Sequence, residues 1–352
     1  MFTRCIMVIA FILLLFLSTT FSQKILYPIV HNGLWGYIDS SGTEIIEPQY
    51  IQAGQFSDGY AFVKKGSNTH EGFSIVDDFG FINTMNEFQS ISKYLSGIDE
   101  AQNFHERRAA VRLAGIGVFT NSKWGLIDTS FNVVLEPAYY KVGNFSEGLA
   151  WVEDKKMFLF FVISDNYGYV NLEGDLVIPC RFEHAGSFFE GLANVTIDGK
   201  KGFINKNGEI IIEPKFDAVG KFSQGLAPVK LADKWGFMNQ NGKMIIPPTF
   251  DDARSFSEGL ALIKQFGKWG FIDCSGKIVI QPKFNEISEF SEGLAPALIS
   301  NKWGYIDIEG KIVIEPQFDY AYGFNGERAL VINDNKFNYI NSKGIYVWKQ
   351  AD

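Results

Sequence analysis

KWGFIDCSGKIVIQPKFNEISEFSEGLAPALISN, Lys268 to Asn301, is followed without a break by KWGYIDIEGKIVIEPQFDYAYGF, Lys302 to Phe324. The second stretch restates the first. Stepping back along the chain, the same glycine falls at Gly304, Gly270, Gly236 and Gly202, each 34 residues from the next, and Asn338 holds the following slot. A repeat of this period signals an array or a propeller and not a single-pocket enzyme.

Looser copies carry the register glycine at Gly36, Gly80, Gly125 and Gly168. The residue before it is Trp35, Phe79, Trp124, Tyr167, Lys201, Trp235, Trp269, Trp303 and Phe337, aromatic in every unit but the fifth. Two places after it stands an apolar residue, from Ile38 to Ile340, and then always Asp or Asn: Asp39, Asn83, Asp128, Asn171, Asn205, Asn239, Asp273, Asp307 and Asn341. Three residues later comes glycine in seven units, with Asn86 and Phe131 in the other two. An Asx side chain that caps backbone N–H groups, followed by a left-handed glycine, makes a type I turn with a bulge. Phe131 suits that conformation poorly, so the third turn is expected to differ.

Strands flank this turn. The middle strand is the Trp-Gly-aromatic-Ile segment, and the trailing strand is a β-branched run such as Ile278-Val279-Ile280. Pro48, Pro137, Pro214, Pro248, Pro282 and Pro316 are expected to end the trailing strand, because proline removes a ladder donor. Pro179 falls one residue early. A leading strand precedes the middle one, as in Leu226 to Val229, and Pro228 and Pro296 within it suggest an edge position. Links of about ten residues carry two aromatic anchors each, such as Phe284 and Phe290. No helical periodicity appears.

The reading is an all-β fold: one domain, 23–352, of about nine three-stranded antiparallel meanders. The units lie near 25–48, 60–92, 109–137, 149–179, 192–214, 226–248, 260–282, 294–316 and 329–348. Nine whole units leave no fraction to be shared between the termini. An open, curved or superhelical array is therefore expected, with a closed propeller-like ring as the alternative.

The Lys-Trp-Gly-aromatic-Ile-Asp core, at Lys268 to Asp273 and Lys302 to Asp307, resembles the bacterial WG-repeat (KWG-repeat) proteins over roughly residues 25 to 348. The resemblance implies repeat architecture and a binding role, and supplies no catalytic residues. Lys201 and Asn338 depart from the motif, so units five and nine are expected to pack less tightly.

Residues 1–22 read as a signal peptide. Arg4 precedes an apolar run from Cys5 to Leu17, too short to span a bilayer comfortably, and small residues Ser18, Thr19, Thr20 and Ser22 follow. An uncleaved anchor is the other reading. The expectation is an exported protein in the periplasm, at the cell surface or secreted, with no transmembrane span after cleavage. The formal net charge of −8 becomes −9 without Arg4, which disfavours nucleic acid as a partner. Cys180 and Cys274 lie three repeats apart in different slots, too far for a disulfide in a linear array.

No catalytic, cofactor or metal constellation emerges. The Asx row is explained by turn chemistry better than as a calcium ladder. A second acidic row, Asp58, Glu106, Glu147, Glu190, Glu258 and Glu292, interrupted by Gln224, reads as solvated turn residues. The recurring aromatic slots read as core. The four histidines occupy no common slot, and Gly115-Ile116-Gly117 lacks the strand-to-helix context of a dinucleotide site.

Three insertions break the pattern, all between leading and middle strands of units two to four: residues 64–78, 112–123 and 154–166. Equivalent hairpins of an array share one edge, and insertions there often mark the binding face. Lys65, His70, Phe73, Phe119, Met157, Phe158, Phe160 and Phe161 are the candidate partner-binding residues. The run from Met157 to Phe161 either lengthens its hairpin or exposes an apolar patch. The expected function is a non-catalytic exported scaffold that binds a protein or an envelope glycan along this edge. A carbohydrate-binding module is the alternative.

Overall fold

The computed structural model describes residues 25–351 except 67–77, 92–97, 114–121 and 159–160. The 33 strands seen among these residues form eight antiparallel sheets, and no α-helix is present among them. The first sheet holds two meanders, because one strand, Glu44–Ala53, trails unit one and continues into the link of unit two. Nine meanders therefore make an eight-sheet propeller.

Each meander is wider than the three strands read from the sequence. Between the two aromatic anchors, most links pair with the leading strand as a short innermost strand. His184–Ala185 runs against Leu192–Ile197 in this way, and Ala218–Val219 against Leu226–Leu231. The leading strand is thus not an edge in these sheets, Pro228's included, whereas Leu294–Ile299, which carries Pro296, lies at the edge of its three-stranded sheet. Pro228 is tolerated because its carbonyl accepts from Gly220 N–H, while the nitrogen that cannot donate is not called upon.

The prolines do not end the trailing strands either. Ile278–Phe284 runs through Pro282, with its register broken between the pairs Trp269–Phe284 and Phe271–Ile280. The strand bulges there, onto the register glycine. A β-carbon on Gly270 would stand 2.5 Å from the Ile280 carbonyl oxygen and 2.6 Å from Pro282 N. Gly36, Gly125, Gly202, Gly236 and Gly304 face the same bulge at Pro48, Pro137, Pro214, Pro248 and Pro316. Unit nine has neither partner: Asn338 pairs directly with Lys349. Asn338 is nonetheless buried, and its amide donates to the Lys336 carbonyl at 3.0 Å. The looser ninth unit expected from the sequence is not observed at this position.

The third turn also keeps the common form. Phe131 adopts φ 64°, and its N–H donates to the Asp128 carbonyl at 2.9 Å. The left-handed conformation costs a bulky residue about 1–2 kcal/mol. Burial of the ring offsets it, against Tyr60, Phe81 and Phe104 of the preceding unit.

The acidic row consists of solvated turn residues, as read from the sequence, and they also form a clamp between units. Ser291, Glu292 and Gly293 show the pattern. Glu292 and Gly293 form a tight left-handed turn, and Glu258 of the preceding unit accepts both N–H groups at 2.6 and 2.9 Å. Glu292 in turn accepts from Gly326 and Glu327. Glu106 does the same for Glu147 and Gly148. The neighbouring serines add a second rung: Ser257 Oγ donates to the Phe290 carbonyl and Ser291 Oγ to that of Phe324. Between the rungs, the second anchor Phe packs on the aromatic that follows the register glycine, as in Phe271 with Phe290 and Phe203 with Phe222.

The ring closes, which corrects the open array expected from the sequence. Unit nine seats on unit one through contacts that other neighbours also make. Arg328 Nε donates to the Ser40 carbonyl as Arg108 Nε does to that of Leu172. Gly42 lies against Val347 as Gly208 lies against Ile178. Tyr27, Ile29 and Ile38 form a buried cluster with Tyr339. No sheet is completed by both termini. Closure comes from face packing, which counting whole units could not exclude.

Candidate functional site

The innermost strands and their following residues line the inside of the ring. In three links the wall is close-packed, because a glycine two places before the second anchor lets a leading-strand side chain lie across it. A β-carbon on Gly220 would stand 2.6 Å from Pro228 Cγ, and one on Gly186 would stand 2.5 Å from Asn194 Nδ2. In unit four the side chain in this position is Trp151. Its five-membered ring covers Gly143, where a β-carbon would come within 2.2 Å of Nε1. Tyr167 supports it from another side at 5.7 Å between ring centroids.

Trp151 is part of the wall of a cavity of about 880 Å³ beside units two to four. Phe62, Trp124 and Tyr140 supply the other aromatic surface, and Gln52, Gln102, Asn103 and Asn144 the amides. Among the described residues none of these four amide side chains makes a hydrogen bond to the protein, and neither does the Trp151 indole N–H. The Asx residues of the turns behave differently: Asn205 and Asn239, for example, hold backbone N–H groups at 3.0–3.1 Å.

The charges at the wall are largely paired. Arg112 meets Glu100 at 2.7 Å, and its guanidinium lies 5.8 Å from the Trp124 ring. Lys123 Nζ sits 3.8 Å from the centre of the Tyr140 ring, and burial lowers its pKa. Behind Trp151, Glu153 is buried, with Lys155 at 3.0 Å and Lys141 at 3.7 Å. A smaller cavity of about 350 Å³ lies beside units seven to nine, where Arg254, Glu286 and Glu289 stand with Leu262 and Trp269. Among the described residues no group of His, Cys, Asp and Glu is placed to hold a metal ion.

Of the candidate residues read from the sequence, Lys65 is described fully. It does not line the cavity; its ammonium rests 3.8 Å from the centre of the Phe88 ring. His70, Phe73, Phe119 and Phe160 lie outside the described residues. Met157, Phe158 and Phe161 belong to a lengthened hairpin, Leu149–Phe158 with Phe161–Asn171, whose backbone pairing reaches Phe158 and Phe161; their side chains lie outside the description. The backbone thus lengthens the hairpin as far as Phe158 and Phe161. One insertion, 112–123, adjoins the cavity, since Arg112 and Ser122, on either side of 114–121, both line it. The sequence reading missed Trp151, Asn103 and Asn144. The available signal was their departure from regular slots: Trp151 stands where other units have Pro228, Leu262 or Pro296.

These features define a repeat-built all-β propeller with a ligand-sized cavity on one sector. The WG containing repeat matches residues 35–68, 124–156, 167–200, 202–235, 235–269, 269–303 and 303–337, and the chain belongs to that family. No curated protein matches the sequence. The fold is similar to that of apo AztD from Citrobacter koseri (10% identity, 93% of this chain and 94% of that one, TM-score 0.44). It is also similar to Porphyromonas gingivalis dipeptidyl peptidase 4 (9%, 96% and 60%, 0.49) and to the uncharacterized protein lmo1340 from Listeria monocytogenes EGD-e (9%, 94% and 95%, 0.42). At these values nothing about their chemistry carries over.

Proposed function

We propose that this protein is an exported, non-catalytic binding ring that receives a component of the cell envelope at units two to four. The observation that supports this reading is the coincidence of two irregularities. The cavity of about 880 Å³ is lined by Arg112 and Ser122, the bases of one inserted hairpin, and the other two insertions belong to the units on either side. Pockets of about 300–1,000 Å³ with aromatic walls and a few convergent polar groups are the usual form of a ligand site. The remaining units hold the ring in shape. The apolar run from Cys5 to Leu17 supports export. Among the described residues no helix is long and apolar enough to cross a membrane.

The test is site-specific crosslinking in intact cells. A photoreactive residue at Asn144 is expected to trap a partner, and the same residue at Asn301, in the opposite sector, is not. Removing residues 66–76, 114–121 and 156–163 together is expected to abolish trapping while the ring stays folded. Equal trapping at both positions, or trapping that survives the deletions, overturns the proposal.

A further inference from the structure

We infer that the cavity of units two to four takes an uncharged saccharide, with Trp151 as the platform for a sugar ring. The inference rests on the proposal that this sector is the binding site, and it names the chemistry of the ligand.

Three observations carry it. First, the unsatisfied groups at the wall are neutral. Gln102, Asn103 and Asn144 each present an amide carbonyl and an NH₂, so each can both accept and donate, and none has a side-chain partner among the described residues. A sugar hydroxyl is likewise donor and acceptor at once. A carboxylate or a phosphate would only accept, and would leave the amide oxygens facing negative charge.

Second, the wall gives an ionic ligand little to bind. Arg112 is engaged by Glu100 at 2.7 Å, and the exposed Lys141 lies 3.7 Å from the buried carboxylate of Glu153, whose closer partner is Lys155 at 3.0 Å. An anionic ligand would have to break these pairs.

Third, Trp151 is a fixed surface. Gly143 beneath it and Tyr167 beside it hold the indole, so little side-chain entropy is lost when a ring stacks on it. Among the described residues the Nε1–H has no protein acceptor, so it can donate to a ligand oxygen. A cavity of about 880 Å³ accommodates more than one sugar ring, given the usual range for ligand sites. The contrast within the molecule is useful. In the opposite sector Leu262 occupies the platform slot and Arg254, Glu286 and Glu289 replace the amides.

The test uses the full ring with cellotetraose, xylotetraose, maltotetraose and chitotetraose as probes, and tetragalacturonate as the charged comparator. At least one neutral probe is expected to change the tryptophan fluorescence saturably. Trp151→Ala and, separately, Asn144→Asp are expected to weaken that probe at least about tenfold, which corresponds to about 1.4 kcal/mol, while Trp269→Ala leaves it unchanged. Asn144 is exposed, so its variant tests the site even where Trp151→Ala fails to fold. Absence of binding by every neutral probe, preference for tetragalacturonate, or insensitivity to Asn144→Asp overturns the inference. Crosslinking at Asn144 separates the two levels. A trapped partner with no saccharide binding removes the sugar and leaves the binding site standing; loss of both removes both.

Discussion

The Tyr339 hydroxyl donates to the carbonyl of Pro28 at 2.9 Å, across 311 positions of sequence. The same tyrosine slot serves elsewhere between neighbours: Tyr37 reaches the Gly54 carbonyl, Tyr169 that of Gly186 and Tyr305 that of Tyr322. At the closing seam, unit one answers with its leading strand in place of a link. Tyr27 packs on Tyr339 at 5.5 Å, and its hydroxyl donates to the Gly326 carbonyl. The seam is described without the Ser and Glu rungs that join the other neighbours.

Tyr339→Phe should therefore loosen the seam and little else. A lost hydrogen bond of this kind costs about 1 kcal/mol. Amide hydrogen exchange should rise in Tyr27–His31 and Lys336–Ile340 and stay unchanged in Lys234–Asn239. Uniform acceleration across the ring would show that closure is not a separate joint.

Gly270→Ala should destabilise by about 1–3 kcal/mol, since the new methyl meets the backbone at Ile280 and Pro282. Combining it with a change that removes the bulge, Pro282→Val, should cost less than the sum of the two single changes. Asn338 opposite Lys349 is the native precedent. Additive urea midpoints would argue that glycine and proline act independently.

The Glu clamp predicts a cost of about 1 kcal/mol for Glu258→Ala, whose carboxylate holds two N–H groups of the next unit. Gln224, the natural interruption of the row, should tolerate alanine with a smaller change. Chemical denaturation of the two variants side by side measures the difference.

Three exposed ion pairs should shape acid stability. Asp217, Asp251 and Asp319 are held below the usual carboxylate range chiefly by hydrogen bonds from Lys200, Lys234 and Lys302. A folded-state pKa below the unfolded one means the contribution is complete above about pH 4 and is lost as pH falls through the folded value. The gap in stability between wild type and Asp319→Asn should thus be present at pH 6, vanish near pH 2 and shrink in 1 M salt. A gap that grows on acidification would reverse the sign of this account.

Cys274 should react with a thiol reagent before Cys180 does. Both are free. Burial pushes the Cys180 thiol up to about 11, and Asp154 adds to the shift, whereas Cys274 is exposed. Mass spectrometry after brief alkylation at pH 8 would show modification of Cys274 first.

Much of this architecture was legible because its turns are chemical and local. An Asx residue with glycine three places later specifies its turn wherever it stands, and Asp273 with Gly276 needs no distant partner to do so. Closure was not legible, since it depends on a small rotation per unit summed around the chain. Tyr27 and Tyr339 occupy ordinary slots and meet only after that sum. The clamp was missed for a related reason. Glu258 is a solvated turn residue, and its second role shows only when the next turn arrives beside it. The cavity was hidden because Trp151 is a single departure from its slot, and Asn103 and Asn144 stand in separate links. Their convergence is a property of the inner wall, which no single repeat contains.

Closure by packing also has a genetic consequence. Tandem near-identical repeats invite unequal recombination, which adds or removes a whole unit in frame. An open array would absorb such an event as a change of length. Here Gly42 must return to Val347 and Ser40 to Arg328 after nine units. A chain with one repeat more or fewer would bring different surfaces together at the seam, so ring closure ties the fold to one copy number.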